Sequence, residues 1–574
     1  MRYHALAADY DGTLAHHGLI DDLTWASLRR LRDSGRKLIM VTGRELDELV
    51  GLLQHPEMFD RIVAENGAVL YCPANKSLKL LAPPPPKEFA AELRRRGVNR
   101  VAAGRVIVAS WEPHQDTILH VIHDMALELQ VIFNKGAVMV LPTGVNKATG
   151  LLAALHDVGL SAHNVVAVGD AENDHALITR AEIGVAVANA LPALKAHADL
   201  VTSADHGAGV SQLIHDIVAR DLANIAPRRH RIALGMADGE RIDLDPYATN
   251  AIICGTLGSG KSTVTTGLLE RLSDAGYQFC ILDPEGDYSN IDFAVVLGAP
   301  NRAPLVTEVM DVLRDPTRNA VVNMLGVAVD HRPEFFAQLL PPLVELRTRT
   351  GRPHWLVVDE AHHLLPSNWR PAAELVLRPH GTMYVTVHPG SVAKSVIDTI
   401  NTLVVVGDQP DKTVKEFAKV AAKKAPHVAT DRLPPGQCLY WQTAAKQAHV
   451  VRAEPCKTER TRHSRKYVEG NLGPYSFFFR GRDKRLNLKA KNLQLFVLMA
   501  DGVDDDTWTY HLRNGEYSRW FRDHVKDASL AAAAEHVERD PQASAQVSRA
   551  VIRDAIEKRY TLPVDEPSGL VDEE

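Results

Sequence analysis

The stretch AIICGTLGSGKSTVTTGLLERL (251–272) constrains this 574-residue chain more than any other. A short apolar run enters the loop GTLGSGKS (255–262) and leaves it in a segment of helical composition. The loop fits GxxxxGK[ST] in full, a pattern that requires a strand before it and a helix after it. Successive amides and the helix N-terminus of such a loop cradle phosphate groups. Gly255, Gly258, Ser259 and Gly260 would shape the cradle, and Lys261 would reach the β- and γ-phosphates. Ser262 would ligate Mg²⁺, with Thr263 beside it in the first helical turn. A second apolar run, WLVVDEAHHLLP (355–366), ends in Asp359-Glu360. Asp359 would hold the Mg²⁺ shell and Glu360 could polarise the attacking water, the division of labour of a hydrolysing ATPase. No nearby residues complete a ligand set with His362 and His363, so these read as packing or hydrogen-bonding groups.

The first 220 residues carry an independent constellation. HALAADYDG, RKLIMVTGR, RIVAENGAVLY and NVVAVGD are short apolar runs ending in polar or glycine turns, separated by helical stretches. That alternation predicts a parallel sheet with crossover helices. Asp9 and Asp11 of DYDGT stand two apart at a strand end, so their side chains share a direction at the carboxyl edge of the sheet. Gly12 allows a sharp turn. Thr42 ends the next strand, Lys147 follows a glycine-containing turn, and Asp170 and Asp174 lie in GDAEND after a third strand. Such a set suits phosphoryl transfer: a carboxylate nucleophile, a second carboxylate as acid and base, oxygen ligands for Mg²⁺, and a hydroxyl and an ammonium for the phosphoryl oxygens. The four prolines 83–86 form a stiff connector into an inserted cap at about 82–141, and the sheet pattern resumes at Asn146.

In this order the residues resemble the haloacid dehalogenase superfamily over about residues 1–220. AENGAVLY, GDAENDHAL and IGVAVANA resemble its Cof-type branch, and the short cap with TGVNKATGL resembles its archaeal-type phosphoglycolate phosphatases. The resemblance implies a Rossmann-like fold with a small α+β cap. It makes Asp9 the nucleophile, Asp11 the acid/base, and Thr42 and Lys147 the phosphate binders. Asp170 would then bind Mg²⁺ together with Asp9 and Asp11, supported by Asp174. The substrate would be a phosphate ester of unspecified kind.

HRIALGMADGERIDLD reads as a hairpin turning at Asp238-Gly239. Together with ILDPEGDYSN (281–290) and DEAHHLLP it resembles the HerA/FtsK-type ATPases, in particular the HerA-like branch, over about residues 228–450. The resemblance implies a RecA-like motor that hydrolyses ATP, forms a homo-oligomeric ring, expected as a hexamer, and moves DNA, RNA or protein. It places Asp283 and Glu285 near the nucleotide. Two departures stand out: the phosphatase-like part replaces the family's amino-terminal β-barrel, and TMYVTVHPG ends on His388 where a glutamine is common. Arg378 is a candidate for the arginine acting across a ring interface.

After Pro455 the texture changes. Residues 457–491 hold eleven Lys/Arg against three Asp/Glu, a net of +8, and residues 492–574 hold nine against seventeen, a net of −8. The two stretches either contact each other or a polyanion, or are two solvated faces of one domain. YSFFFRGRDKRLNLKAKN (475–492) could stack on single-stranded nucleic acid or form a buried strand and turn. LRNGEYSRWF (512–521) reads as the start of a helix after Asn514-Gly515.

The expected organisation is 1–220, 228–455 and a mostly helical 456–574. Five scattered cysteines without a CxxC pair, and no apolar run of roughly 18–20 residues, point to a reducing cytoplasm and no membrane segment. Two other readings stay open: a polynucleotide kinase–phosphatase-like end-processing enzyme, and a nucleotide-switched scaffold with a non-catalytic phosphatase fold.

Overall fold

The computed structural model describes residues 1–560 apart from 226, 228, 257, 370–379, 429, 458–471, 473–474, 484–485 and 526. Contacts divide the chain into two compact units, Met1–Lys457 and Thr458–Glu574.

The first sheet of the larger unit has eight strands. β1 (Ala5–Ala8) and β2 (Lys37–Val41) lie side by side, followed by β3 (Arg61–Ala64), β4 (Val69–Cys72) and β5 (Ser77–Leu80). On the other side of β1 lie β10 (Val165–Gly169), β11 (Ile183–Ala186) and β12 (Leu200–Val201). The pairings from β12 to β3 are parallel. β1 and β10 are buried along their whole length, as expected of strands covered by helices on both faces.

The run RIVAENGAVLY, read from sequence as one strand, is two. β3 and β4 pair antiparallel around Glu65-Asn66-Gly67. All three turn residues have positive φ (51°, 54° and 108°), a reversal that two non-glycine residues help to make. Periodicity therefore gave no warning of it. β5 then closes the edge antiparallel.

The cap interrupts the chain after β5. Four antiparallel strands, β6 (Ala102–Ala103), β7 (Val108–Trp111), β8 (Leu129–Asn134) and β9 (Ala137–Pro142), run in the order β6-β7-β9-β8. Helices Lys87–Arg95 and Gln115–Asp124 bury Phe89, Leu93, Ile118 and Val121 against this sheet. Glu65 fixes the cap to the core. Its buried carboxylate accepts the amides of Arg105, Val106 and Ile107 at 2.9, 2.7 and 2.9 Å.

The second sheet has eleven strands. Seven are parallel: β15 (Asn250–Gly255), β16 (Phe279–Asp283), β17 (Val295–Leu297), β18 (Ala320–Asn323), β19 (Trp355–Val358), β20 (Thr382–Thr386) and β21 (Thr402–Val406), in the order β21-β15-β20-β19-β16-β18-β17. The hairpin β13 (Ile232–Ala237) and β14 (Glu240–Leu244) reaches this sheet through β22 (Gln437–Gln442) and β23 (His449–Ala453). Asp238 and Gly239, at φ 50° and 84°, make its tight turn.

The two sheets' domains meet within the larger unit. Arg352, 1% exposed, donates to the Gly159 carbonyl from Nε and Nη2 at 3.1 and 2.7 Å, and from Nη1 to Gln278 Oε1 at 2.7 Å. Burial pulls its pKa down to about 10, so it stays charged at neutral pH.

In the smaller unit, β24 (Phe477–Phe479) pairs antiparallel with β25 (Leu488–Ala490). Phe477 and Phe479 are buried among Phe496, Trp508, Tyr517 and Trp520, on helices within residues 493–520. The described part of the acidic stretch, up to residue 560, thus supplies helices around this core. Gly515, at φ 61°, starts the helix Glu516–Trp520. Among the described residues no helix is long and apolar enough to cross a membrane.

Candidate active site

β1, β2 and β10 are neighbours, and their carboxyl ends bring the sequence-picked residues together. Asp9 follows β1 and is 4% exposed. Lys147, 1% exposed, opens the helix Lys147–Asp157, where Asn146 caps the Ala148 and Thr149 amides through its side chain. That cap, typically worth ~1 kcal/mol, fixes the first turn from which the lysine points inward. Lys147 Nζ donates to Asp9 Oδ1 at 2.7 Å and to Asp174 Oδ1 at 2.6 Å. Asp174 Oδ2 accepts the amides of Asp170 and Ala171, at 2.9 and 3.0 Å, which locks the turn after β10. Asp170 Oδ1 accepts from Thr13 Oγ1 at 3.0 Å. Gly12 is required here: at φ 82°, a Cβ would lie 2.3 Å from Asp170 Oδ2.

Electrostatics follow from burial. Desolvation, aided by the Asp174 charge, pushes the Asp9 carboxyl well up while Lys147 opposes it. Burial also raises Asp170, against the pull of Lys135. Lys147 is raised: the two aspartates outweigh its own desolvation, so it remains an ammonium. Asp9, Asp170 and Asp174 offer oxygens within 4.8 Å of one another, an all-oxygen set of the type a hard divalent cation takes.

Thr42 is buried after β2, and its Oγ1 accepts the Arg44 amide at 3.2 Å. Asp11 stands apart from the buried cluster. Its side chain is 45% exposed and both its oxygens are held by Arg44. Three residues escaped the sequence reading. Arg44 sits two positions past the strand-end threonine. Lys135, in the β8–β9 turn of the cap, donates to Asp170 Oδ2. Thr13 holds Asp170 from the β1 side. Only Lys135 had a usable signal, the Asn-Lys-Gly hairpin turn at 134–136.

The second cluster lies at the carboxyl ends of β15, β16, β19 and β20. Gly260, at φ 100°, turns the loop into helix Lys261–Asp274. Lys261 is 5% exposed and its Nζ folds back onto the carbonyls of Gly255 and Thr256 at 3.0 and 3.4 Å. Ser262 is buried beside it. Asp359 and Glu360 follow β19, fully buried and 3% exposed, with β20 between them and the loop's own strand. Glu360 has φ 42°. His362 Nδ1 lies 3.3 Å from Thr386 Oγ1 and 3.4 Å from Glu360 Oε2, and burial lowers its pKa to about 4. Asp283 accepts the Asp287 and Tyr288 amides at 2.9 Å each, so it shapes its own turn, and Glu285 is exposed. His388 is exposed, 3.9 Å from Glu416; the buried side chain at the end of β20 is Thr386. Arg378 lies outside the described residues.

Carboxylates gathered around a buried ammonium at the edge of a doubly wound sheet, beneath a small cap, are the arrangement of a capped α/β hydrolase. Comparison with known proteins makes the assignment specific. The family described as haloacid dehalogenase-like hydrolase matches residues 6–93 and 112–214, and the family described as Helicase HerA, central domain, matches residues 241–344. A phosphoglycolate phosphatase of Methanothermobacter thermautotrophicus is 32% identical over 219 residues, covering 37% of this chain and 96% of that protein. Phosphoglycolate phosphatase 2 of Saccharolobus solfataricus is 30% identical over 227 residues, covering 37% and 92%. A solved haloacid dehalogenase-like hydrolase from Bacteroides thetaiotaomicron aligns over 38% of this chain and 99% of its own at 21% identity, with a TM-score of 0.33. The chain belongs to the haloacid dehalogenase-like hydrolases through its amino-terminal part, and this enzyme carries a HerA-type ATPase domain behind it.

Proposed function

We propose that residues 1–220, with the cap at about 82–141, hydrolyse a small anionic phosphate monoester of the phosphoglycolate type, and that residues 228–455 hydrolyse ATP. The observation that carries the first half is Lys147 Nζ bridging Asp9 and Asp174, with Asp170 in reach. Lys147 occupies Asp9 Oδ1, which leaves Oδ2 to attack phosphorus. The P–O ester bond breaks, the leaving oxygen takes a proton from Asp11, and an aspartyl-phosphate forms on Asp9. Asp11 then takes a proton from water as the water attacks that phosphorus, releasing phosphate and restoring Asp9. To do so Asp11 turns away from Arg44. Mg²⁺, when bound by Asp9 and Asp170 with Asp174 in support, neutralises charge on the phosphoryl oxygens. Thr42 and Lys147 hold those oxygens.

In the second half the amides of 255–263, from Gly255 to Thr263, cradle the nucleotide, and Lys261 swings from the Gly255 carbonyl to the phosphates. Ser262 and Asp359 would hold its Mg²⁺, Glu360 would orient water, and Asp283 and Glu285 would flank the site. The HerA match supports a homo-oligomeric ring acting on DNA or RNA, with 456–574 as an accessory domain. A cytoplasmic enzyme fits the scattered cysteines. The deciding experiment measures phosphate release from an ester panel beside ATP hydrolysis with and without DNA or RNA. Asp9→Asn abolishes the first and spares the second, and Lys261→Ala does the converse. Ester hydrolysis undiminished in Asp9→Asn refutes the nucleophile.

A further inference from the structure

Among the described residues, a second group besides the catalytic aspartates brings three metal-ligating side chains within 4.8 Å of one another: His163, Glu182 and His230. It lies where the two domains of the larger unit meet, and none of the three serves either proposed reaction. His163 is 6% and Glu182 2% exposed, and His230 is half-buried.

The donor and acceptor count at His163 is unusual. Nδ1 lies 2.8 Å from Glu182 Oε2, and Nε2 lies 2.8 Å from the Ala275 carbonyl oxygen. Both neighbours accept. A neutral imidazole has one N–H. A hydrogen on either nitrogen leaves the other lone pair facing an oxygen; a metal ion on Nδ1 would resolve that contact while Nε2 donates to Ala275. His230 favours the metal ion. Its Nε2 lies 3.0 Å from the Ala181 carbonyl, and with the hydrogen there Nδ1 keeps the lone pair that a metal needs. One ring nitrogen on a backbone carbonyl and the other on the ion is the arrangement of metal-bound histidine.

The surroundings fit. Glu182 Oε1 accepts from Arg2 at 2.7 Å, leaving Oε2 for the ion. The Tyr277 hydroxyl donates to Oε2 at 3.1 Å while its ring stacks on His163 with centroids 3.6 Å apart. A cavity of about 520 Å³, lined by Arg2, His163, Glu182, Tyr247, Tyr277 and His354 among others, gives a route in.

We propose that His163, Glu182 and His230 form a structural site for a borderline-soft divalent ion such as Zn²⁺. Two imidazoles and one carboxylate suit Zn²⁺ and disfavour Mg²⁺, and three protein ligands leave one position for water from the cavity. The ion joins the first domain, through His163 and Glu182, to His230 just before β13. Since the Ala275 carbonyl ends the helix that starts at Lys261, the same histidine holds the far end of the phosphate-loop helix.

The test uses full-length, untagged protein stripped by chelator and titrated with Co²⁺, whose visible absorption reports nitrogen ligation at low coordination number. One tight equivalent is expected, displaced by Zn²⁺ and not by Mg²⁺. It persists in Asp9→Asn and weakens at least about tenfold in His230→Ala and in Glu182→Gln. The melting temperature of the stripped wild type rises on adding Zn²⁺, and that rise is lost in His230→Ala. No tight Co²⁺ equivalent in the wild type overturns the site, whatever the variants do. Tight binding retained in both variants overturns it equally.

Discussion

Arg44 grips Asp11 with two parallel hydrogen bonds, Nε to Oδ2 at 2.6 Å and Nη2 to Oδ1 at 2.8 Å, and reaches Glu48 with Nη1. The hydrogen bond to Asp11 is the main reason the guanidinium pKa is raised. In the proposed reaction an entering phosphate ester would replace Asp11 on this guanidinium and so free Asp11 for proton transfer. Arg44→Ala removes the cation and leaves Asp11 facing an anionic substrate. With Asp11 45% exposed, solvent screening limits the effect. KM should rise about tenfold and kcat should fall less than about threefold, the pattern of lost uniform binding. A fall in kcat with KM unchanged would place Arg44 in the chemistry instead.

In the proposed reaction Lys135 would compete with Mg²⁺. It comes from the cap and donates to Asp170 Oδ2, the oxygen that would serve Mg²⁺. Its side chain is 47% exposed, so the pair contributes little to stability. Lys135→Ala removes a competing cation, and the Mg²⁺ concentration for half-maximal phosphatase activity should drop several-fold. A Mg²⁺ requirement equal to or higher than the wild type's means the lysine helps the loaded site rather than guarding the empty one.

What was legible in the sequence lies at strand ends. Lys147 was located by the glycine-containing turn before it, whereas Asp9, Asp170 and Asp174 could be located because apolar runs fix where strands stop, and a strand's last residues face the carboxyl edge. The phosphate loop was legible for the same reason. Arg44 on Asp11, Lys135 on Asp170 and Glu65 on the 105–107 amides were not, because each is a side-chain meeting across 33 or more residues with no periodic trace. The β3–β4 reversal was hidden because Glu65 and Asn66 adopt positive φ without being glycine. The His163 cluster draws on segments 19 and 67 residues away, and only packing of the two domains reveals it.

Glu360→Gln should retain ATP binding and lose hydrolysis by about 100-fold or more, the scale of a lost general base. Glu360 follows β19 and is 3% exposed, with His362 Nδ1 3.4 Å from its Oε2. Fluorescent-nucleotide binding beside steady-state hydrolysis separates the two functions. Wild-type turnover in this variant would mean that another residue activates the water.

His4 should make the fold acid-sensitive. It is 2% exposed, its Nε2 lies 3.1 Å from the Met1 carbonyl, and burial is the chief cause that brings its pKa down to about 4. Asp221 and Arg36 are its charged side-chain neighbours, with opposing effects. Between about pH 6.5 and 4 the unfolded chain binds a proton here that the folded chain does not, so stability falls as pH falls through that window. The shift corresponds to roughly 3 kcal/mol at its lower end. Melting temperatures of wild type and His4→Gln across this window should converge as the pH drops. Parallel curves would mean that His4 titrates alike in both states.

The smaller unit sets how nucleic acid would be engaged. Phe477 and Phe479 lie in its core, where burying each contributes roughly 1.5–3 kcal/mol, so neither is available to stack on bases. Phe478 is half-exposed between Arg480 and Lys489, at 5.0 and 5.9 Å from its ring centre. Binding should then be chiefly electrostatic, through exposed Arg480, Arg482, Lys489 and Lys491. A ring would multiply the +8 segment, and log affinity should fall linearly with log salt by about 0.7 to 0.9 for each phosphate neutralised. Deleting residues 501–574 would destroy the core around Phe477 and so cannot test whether the acidic stretch shields the basic one. Asp506→Asn with Asp523→Asn can, because both side chains are exposed. Shielding predicts tighter DNA binding in that pair, and two independent solvated faces predict little change. The ring itself is tested by light scattering at micromolar concentration with ATP and Mg²⁺. A head-to-tail interface that closes gives one discrete mass, a fixed multiple of the chain. A monomer with full ATPase activity would show that each site is complete within one chain, and both the ring and the need for an arginine from a neighbour would fall together.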